Sequence, residues 1–197
     1  MAEPAHCLLR RATARLHGRL DRRSVLTGLL SPGVTRQLYI AAMQCLNAAY
    51  DPVDALLLRR EDLCPEDVPP YTPRTPGIGR DLIALGAERS LNRGHDSQGN
   101  QWKLSGPGSP AAYLGMRYVV EGAQLGGRVI HRRLLEAFGV GFQEFGSFWS
   151  PDPAIQSSWP AVLKSLTRVE SRDSLAEAAR SARSTFRHMK IYLAVRE

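Results

Sequence analysis

The stretch Tyr118-Val-Val-Glu-Gly122-Ala-Gln-Leu-Gly126-Gly127-Arg-Val-Ile-His131 sets three glycines inside an otherwise apolar, helix-periodic run. Each interior glycine gives up about 1 kcal/mol of helix propensity relative to alanine, so a helix here surrenders roughly 2–3 kcal/mol. Gly122 and Gly126 stand four apart and stack on one face, baring a strip of main chain. Two occupants fit such a strip: a second helix crossing closely, or a flat ligand lying on the backbone. The helix is expected to start after Pro110 and run to about Phe138, with Gly139 ending it.

A second motif lies near the N-terminus. In Leu9-Arg-Arg-Ala-Thr-Ala-Arg-Leu-His-Gly-Arg-Leu20, Leu9, Thr13, Leu16 and Leu20 recur at helical spacing, and His17 borders that stripe and is expected to face inward. Arg10 lies two turns earlier on roughly the same face, about 10 Å away. A neutral imidazole with a cation at that distance suits a ligand with a metal centre and an acidic edge. A hydrogen-bonded, half-buried core histidine is the other reading.

Helical periodicity dominates the remainder, and no run of alternating β-branched residues appears. Ser31-Pro-Gly33 breaks the chain, Val34 to Ala49 reads as a second helix, and Asp51-Pro52 opens a third through Arg59. Pro65 to Pro76 reads as a connector, Arg80 to Leu91 as a helix, and Asn92 to Pro110 as a long surface loop. After a turn region at Phe142 to Pro153, helices are expected at Ile155 to Val169 and from Asp173 or Ser174 onward, where Ser174 and Glu177 form a capping box. The last helix is expected to bury Leu175, Ala178, Ala182, Phe186, Met189 and Leu193 along one stripe. The expectation is an all-α, single-domain helical bundle over residues 1–197.

The chain is 43% hydrophobic, enough for one full core. Its net charge of +7 is dispersed among pairs such as Arg10-Arg11 and Arg132-Arg133, without any nucleic-acid-binding motif. That charge suits steering of an acidic partner or ligand. No apolar run approaches 18 residues and no secretory leader is visible, so a cytoplasmic protein with no membrane span is expected. Cys7, Cys45 and Cys64 lack disulfide or metal-site spacing. His131 and His188 are expected at the surface, and His6 precedes the apolar stripe.

Leu9-Arg-x-x-Thr-x-x-x-His17 followed by Tyr118-Val-Val-Glu-Gly-x-x-Leu-Gly-Gly127 resembles the haem oxygenase superfamily, most of all its bacterial branch, often paired with bacteriophytochromes. Tyr50-Asp-Pro-Val, Arg80-Asp-Leu-Ile-Ala-Leu-Gly86, Phe145-Gly-x-Phe-Trp149, Trp159-x-x-x-Leu163 and Thr185-Phe186 match in order, so the resemblance spans nearly the whole chain. It implies a haem held between the N-terminal helix and the glycine helix, with His17 as axial iron ligand. Gly122 and Gly126 would form the catalytic distal wall, steering dioxygen toward a meso carbon. Arg10 and Arg133 would meet the propionates, and Tyr118, Phe186 and Met189 would line the pocket. The implied reaction opens haem to biliverdin, releasing iron and carbon monoxide, with electrons from a ferredoxin or another reductant. An acidic redox partner and a bacteriophytochrome receiving the bilin are the implied partners. The same residues also fit a haem-binding or haem-trafficking protein that does not degrade its ligand. One departure stands out: the residue after the first distal glycine, a carboxylate in the animal enzymes, is Ala123.

Overall fold

The computed structural model describes residues 4–89 and 104–195. Among them the chain forms seven α-helices and no β-strand: α1 (Ala5–Arg22), α2 (Val25–Gly28), α3 (Arg36–Arg59), α4 (Thr75–Ala84), α5 (Pro110–Phe138), α6 (Pro153–Leu166) and α7 (Arg172–Leu193). Most of the loop expected after Asn92 lies outside the described residues.

The glycine helix α5 organises the bundle, and its ends follow from local chemistry. Ser109 caps the N-terminus by accepting from the Ala112 amide at 3.2 Å, and Pro110 supplies the preset φ of the first turn. Gly139 stops the helix at φ 59°, a left-handed conformation that favours glycine. From Ala111 to Glu121 nearly every residue is buried; beyond Glu121 only Ile130 and Leu134 are.

The helix packs most extensively against α7. A Cβ at Gly115 would collide with the carbonyl oxygen of Ala178, so this glycine is what lets the two backbones meet. Ser109 contacts Glu177 at 2.5 Å near the start of both helices, and Leu134 and Leu193 share the larger core near their ends. Hence α5 and α7 run in the same direction. So does α1: His17 meets Phe186 edge-on at 5.7 Å, and the Val195 amide donates to the Arg23 carbonyl at 3.2 Å.

Several boundaries differ from the sequence reading. The expected second and third helices are one helix, α3, continuous through Pro52. His188 Nε2 reaches this helix from α7, donating to the Ala49 carbonyl at 2.9 Å. His188 is therefore buried rather than at the surface, and burial pushes its pKa below the usual histidine value. His131 is half-buried against Phe142. α4 begins and ends earlier than expected, with Pro76 in its first turn and Gly86 at φ 65° just beyond its end. α7 starts at Arg172 because Ser171, not Ser174, is the cap, accepting from the Ser174 amide at 3.0 Å.

Two buried carboxylates tie the helices together. Asp54 accepts from the Tyr71 hydroxyl at 2.6 Å and from the Arg74 and Thr75 amides at 2.9 and 2.8 Å, fixing the entry to α4. Asp81 accepts from Tyr39 at 2.8 Å, Ser147 at 2.5 Å and the Phe148 amide at 3.1 Å, and its burial holds its pKa above the usual carboxylate range. Saturated buried carboxylates fix relative positions because leaving any of these donors unpaired costs about 1–3 kcal/mol.

Candidate functional site

At one level of three parallel helices the smaller apolar cluster ends, and burial on α5 lapses from Gly122 to Val129. On α1 the last fully buried residue is Thr13; Leu16 is half-buried and the His17 side chain is 61% exposed. On α7, Phe186 is the last residue in the smaller apolar cluster. On α5 no residue from Gly122 to Val129 is buried, and Leu125 and Val129 are exposed apolar residues. The expectation that His17 points inward is corrected: it borders the stripe, but its side chain is exposed.

His17 is held in one orientation. Its Nδ1 lies 2.7 Å from Asp21 Oδ2, one turn on. A carboxylate only accepts, so Nδ1 carries a proton and Nε2 is the nitrogen left for a ligand. Phe186 supports the ring from the side. Asp21 was not singled out from sequence; its signal was an acid four residues after the histidine on the same helical face.

The glycines separate by environment. A Cβ on Gly122 would meet the Trp159 ring at 3.3 Å, one on Gly127 would meet Trp149 at 3.6 Å, and one on Gly126 would meet nothing within 4 Å. None of these three abuts the backbone of another helix, so the close-crossing reading of the motif does not apply to them. That role belongs to Gly115, outside the motif. Tyr118 packs on Trp159 with ring centroids 5.3 Å apart. Burial pushes the Tyr118 phenol up, Arg10 of α1 pulls it down and Cys7 adds to the rise, so the start of α1 and α5 lie side by side.

The expected cations occupy different settings. Arg10 is exposed on α1. Arg133, half-buried two turns beyond Gly126, donates to the Leu30 carbonyl at 3.3 Å and to Glu136 at 2.8 Å. Outside the gap, Arg15, Arg19 and Arg22 line a hollow of about 570 Å³ on the outer face of α1, and Arg19, Arg22 and Lys190 contribute to a second of about 600 Å³ beside it. His6 pairs with Cys7 at 3.3 Å, away from His17. Among the described residues, no three His, Cys, Asp or Glu side chains cluster as a metal site, and no helix is long and apolar enough to cross a membrane.

Sequence reasoning also missed the polar interior beside Gly122. Glu121, fully buried, bonds Arg117 Nε at 2.9 Å, Arg74 Nη2 at 2.5 Å and Gln124 Nε2 at 2.8 Å. Arg117 and Glu121 at helical i,i+4 spacing were the available signal.

Comparison with known proteins agrees with this fold. Residues 4–191 match the family model described as heme oxygenase. A heme oxygenase from Xanthomonas campestris pv. campestris is 31% identical over 131 residues, covering 63% of this chain and 69% of the relative. The NO- and CO-bound heme oxygenase structure from Neisseria meningitidis superposes with a TM-score of 0.69 at 22% identity, over 97% of this chain and 90% of the other. Heme oxygenase 2 from Chlamydomonas reinhardtii, solved without heme, gives 0.69 at 19% identity over 99% of this chain and 100% of the other. This chain belongs to the haem oxygenase family, a class of oxidoreductases.

Proposed function

We propose that the chain is a single haem oxygenase-like domain over residues 1–197 that opens haem to biliverdin, with dioxygen and external electrons, releasing iron and carbon monoxide. The observation that carries this reading is the exposed, Asp21-oriented His17 on a helix parallel to α5, whose Gly126 has open space where a side chain would stand. Bound haem supplies the oxygen-activating iron and is itself the molecule opened.

His17 would hold the haem iron through Nε2, with Asp21 fixing the tautomer and raising the basicity of the ring. The missing side chain at Gly126 lets the α5 backbone approach the ligand plane closely, and Gly122 continues that wall beside Trp159. Crowding by this bare helix would leave dioxygen room toward one meso carbon of a bound haem. Tyr118 and Phe186 flank the ring. Arg10 and Arg133 pair with the propionates; Arg133 exchanges its Glu136 or Leu30 contact for a carboxylate that its planar fork binds well. The arginine-lined hollows of α1 favour an acidic redox partner such as a ferredoxin. The resemblance to the bacteriophytochrome-associated branch supports a cytoplasmic role in supplying bilin chromophore.

Ala123 gives a non-catalytic haem-binding role its one specific support. Absorption spectra of wild type and His17→Ala with one equivalent of haemin, then ascorbate or a ferredoxin system in air, decide between the readings. The enzyme shows a Soret band altered in His17→Ala, then bleaching with growth of a broad red biliverdin band. A stable Soret band without bleaching identifies the non-catalytic protein, and no haem binding overturns both.

A further inference from the structure

Where α1 and α7 end, a hollow opens on the side of α1 turned away from His17; Arg19, on its wall, follows His17 by two residues, about 200° round the helix. The two helix ends are fastened to each other there. Ser24 and Ala194 form an isolated antiparallel bridge, and the Val195 amide donates to the Arg23 carbonyl at 3.2 Å. The hollow, of about 600 Å³, has the size of sites that take small molecules, about 300–1,000 Å³. Its apolar lining comes from Leu20, Ala194 and Val195, and its charged lining includes Arg19, Arg22 and Lys190. Arg19 and Arg22 also line the neighbouring hollow, together with Arg15. Among the described residues no acidic side chain lines either one.

Cations near helix C-termini ordinarily answer the unpaired carbonyls of the last turn. Arg22 is turned the other way: a Cβ on Gly18 would lie 3.3 Å from its Nη1, so the guanidinium is folded back along α1 and over the glycine. Arg15, Arg19 and Arg22 stand at i,i+4 and i,i+3 spacing, where like charges destabilise a helix. An anion seated among them reverses that sign. Flat acidic surface would need the cations alone, whereas apolar residues set among them suit an amphiphile, an apolar body with carboxylates at its edge. No His, Cys, Met or Tyr lines either hollow, so haem iron would find none of its usual axial ligands here. The lining therefore favours a metal-free tetrapyrrole over haem.

We propose that the hollow between the ends of α1 and α7 is a second binding site, outside the cleft, for a metal-free tetrapyrrole dicarboxylate, the product class of haem opening. The apolar body lies on Leu20, Ala194 and Val195, and the carboxylates meet Arg19, Arg22 and Lys190, the arginines through their planar forks. This inference rests on the haem-degrading reading above.

The test titrates biliverdin into the full chain whose cleft already holds one equivalent of haemin, without reductant, and follows the circular dichroism induced in the red bilin band. Wild type should saturate at one equivalent, with affinity falling as salt is added. Arg22→Glu and Val195→Asp, both at exposed positions, should each weaken biliverdin about 10-fold or more, the loss of one charge-assisted bond, and leave the Soret band of the cleft haemin unchanged. Inorganic phosphate should not displace the bilin, and a second equivalent of haemin should compete poorly. Absent binding, wild-type affinity in both variants, or displacement by phosphate as effective as by biliverdin overturns the proposal. So does a second haemin that binds the hollow more tightly than biliverdin. Variants that bind biliverdin as wild type does but lose turnover with ferredoxin alone give the hollow to an acidic redox partner instead. Should Val195→Asp fail to fold, Arg22→Glu decides alone. If wild type does not bleach haemin with ascorbate, the functional reading falls while the titration still decides this site; if it bleaches and both variants bind biliverdin as wild type does, only this inference falls.

Discussion

The two halves of α5 carry the same kind of residue for opposite purposes. In the first half Gly115 is pressed against the Ala178 carbonyl of α7, and its neighbours are buried on nearly every side. In the second half Gly126 faces nothing within 4 Å, and no residue from Gly122 to Val129 is buried. One glycine lets two backbones meet; the other keeps a backbone bare. Both give up the same helix propensity, so composition and periodicity cannot separate them, and only the neighbouring helix does.

The largest expected effect lies at the junction of the halves. Replacing Glu121 by alanine leaves Arg74 and Arg117 buried without their shared carboxylate, and should cost about 3–5 kcal/mol in chemical denaturation. A loss below about 1 kcal/mol would mean that the cluster is solvated and the halves are not divided there. Gly115→Ala comes next. The added methyl must push α7 away, at about 3 kcal/mol, the upper end for overpacking. Equal stability in wild type and Gly115→Ala would break the distinction between the two glycines.

Gly126→Ala should do the reverse. With open space for its Cβ it is expected to stabilise the ligand-free protein by up to about 1 kcal/mol while weakening haemin binding. The pairing of gain and loss is what a site held open against local propensity produces. Thermal denaturation and a haemin titration on the same preparation check it, and stabilisation with unchanged affinity would remove Gly126 from the site.

Much of this was legible in sequence, and the gaps have physical causes. The ends of α5 were readable because Pro110 and Gly139 act locally, through a fixed φ and a left-handed one. The continuity of α3 through Pro52 was not, because a proline that starts a helix and one tolerated inside it look alike in sequence. The stripe of α1 was legible, but His17's exposure depends on what packs opposite, which periodicity does not encode. Gly115 was passed over because its signal is a close approach, and Arg74, Glu121 and Arg117 because charged residues ordinarily face solvent.

The smallest effect concerns His188, on the closed side of the bundle. Its pKa is depressed by burial, so the unfolded chain binds a proton that the native state resists. Stability should therefore be full above the ordinary histidine pKa of about 6.5 and fall as pH drops below it. In His188→Gln, which keeps a donor for Ala49, the slope of Tm between about pH 7 and 5 should flatten. An unchanged slope would assign the acid sensitivity elsewhere.

The division of α5 is tested most directly by hydrogen–deuterium exchange of the full chain with and without one equivalent of haemin. Added haemin should slow exchange in peptides covering residues 122–133 of α5 and 12–20 of α1, and leave residues 110–121 unchanged. Protection confined to the arginine-lined hollows, or spread equally along α5, would contradict a haem held between His17 and the bare half of the glycine helix.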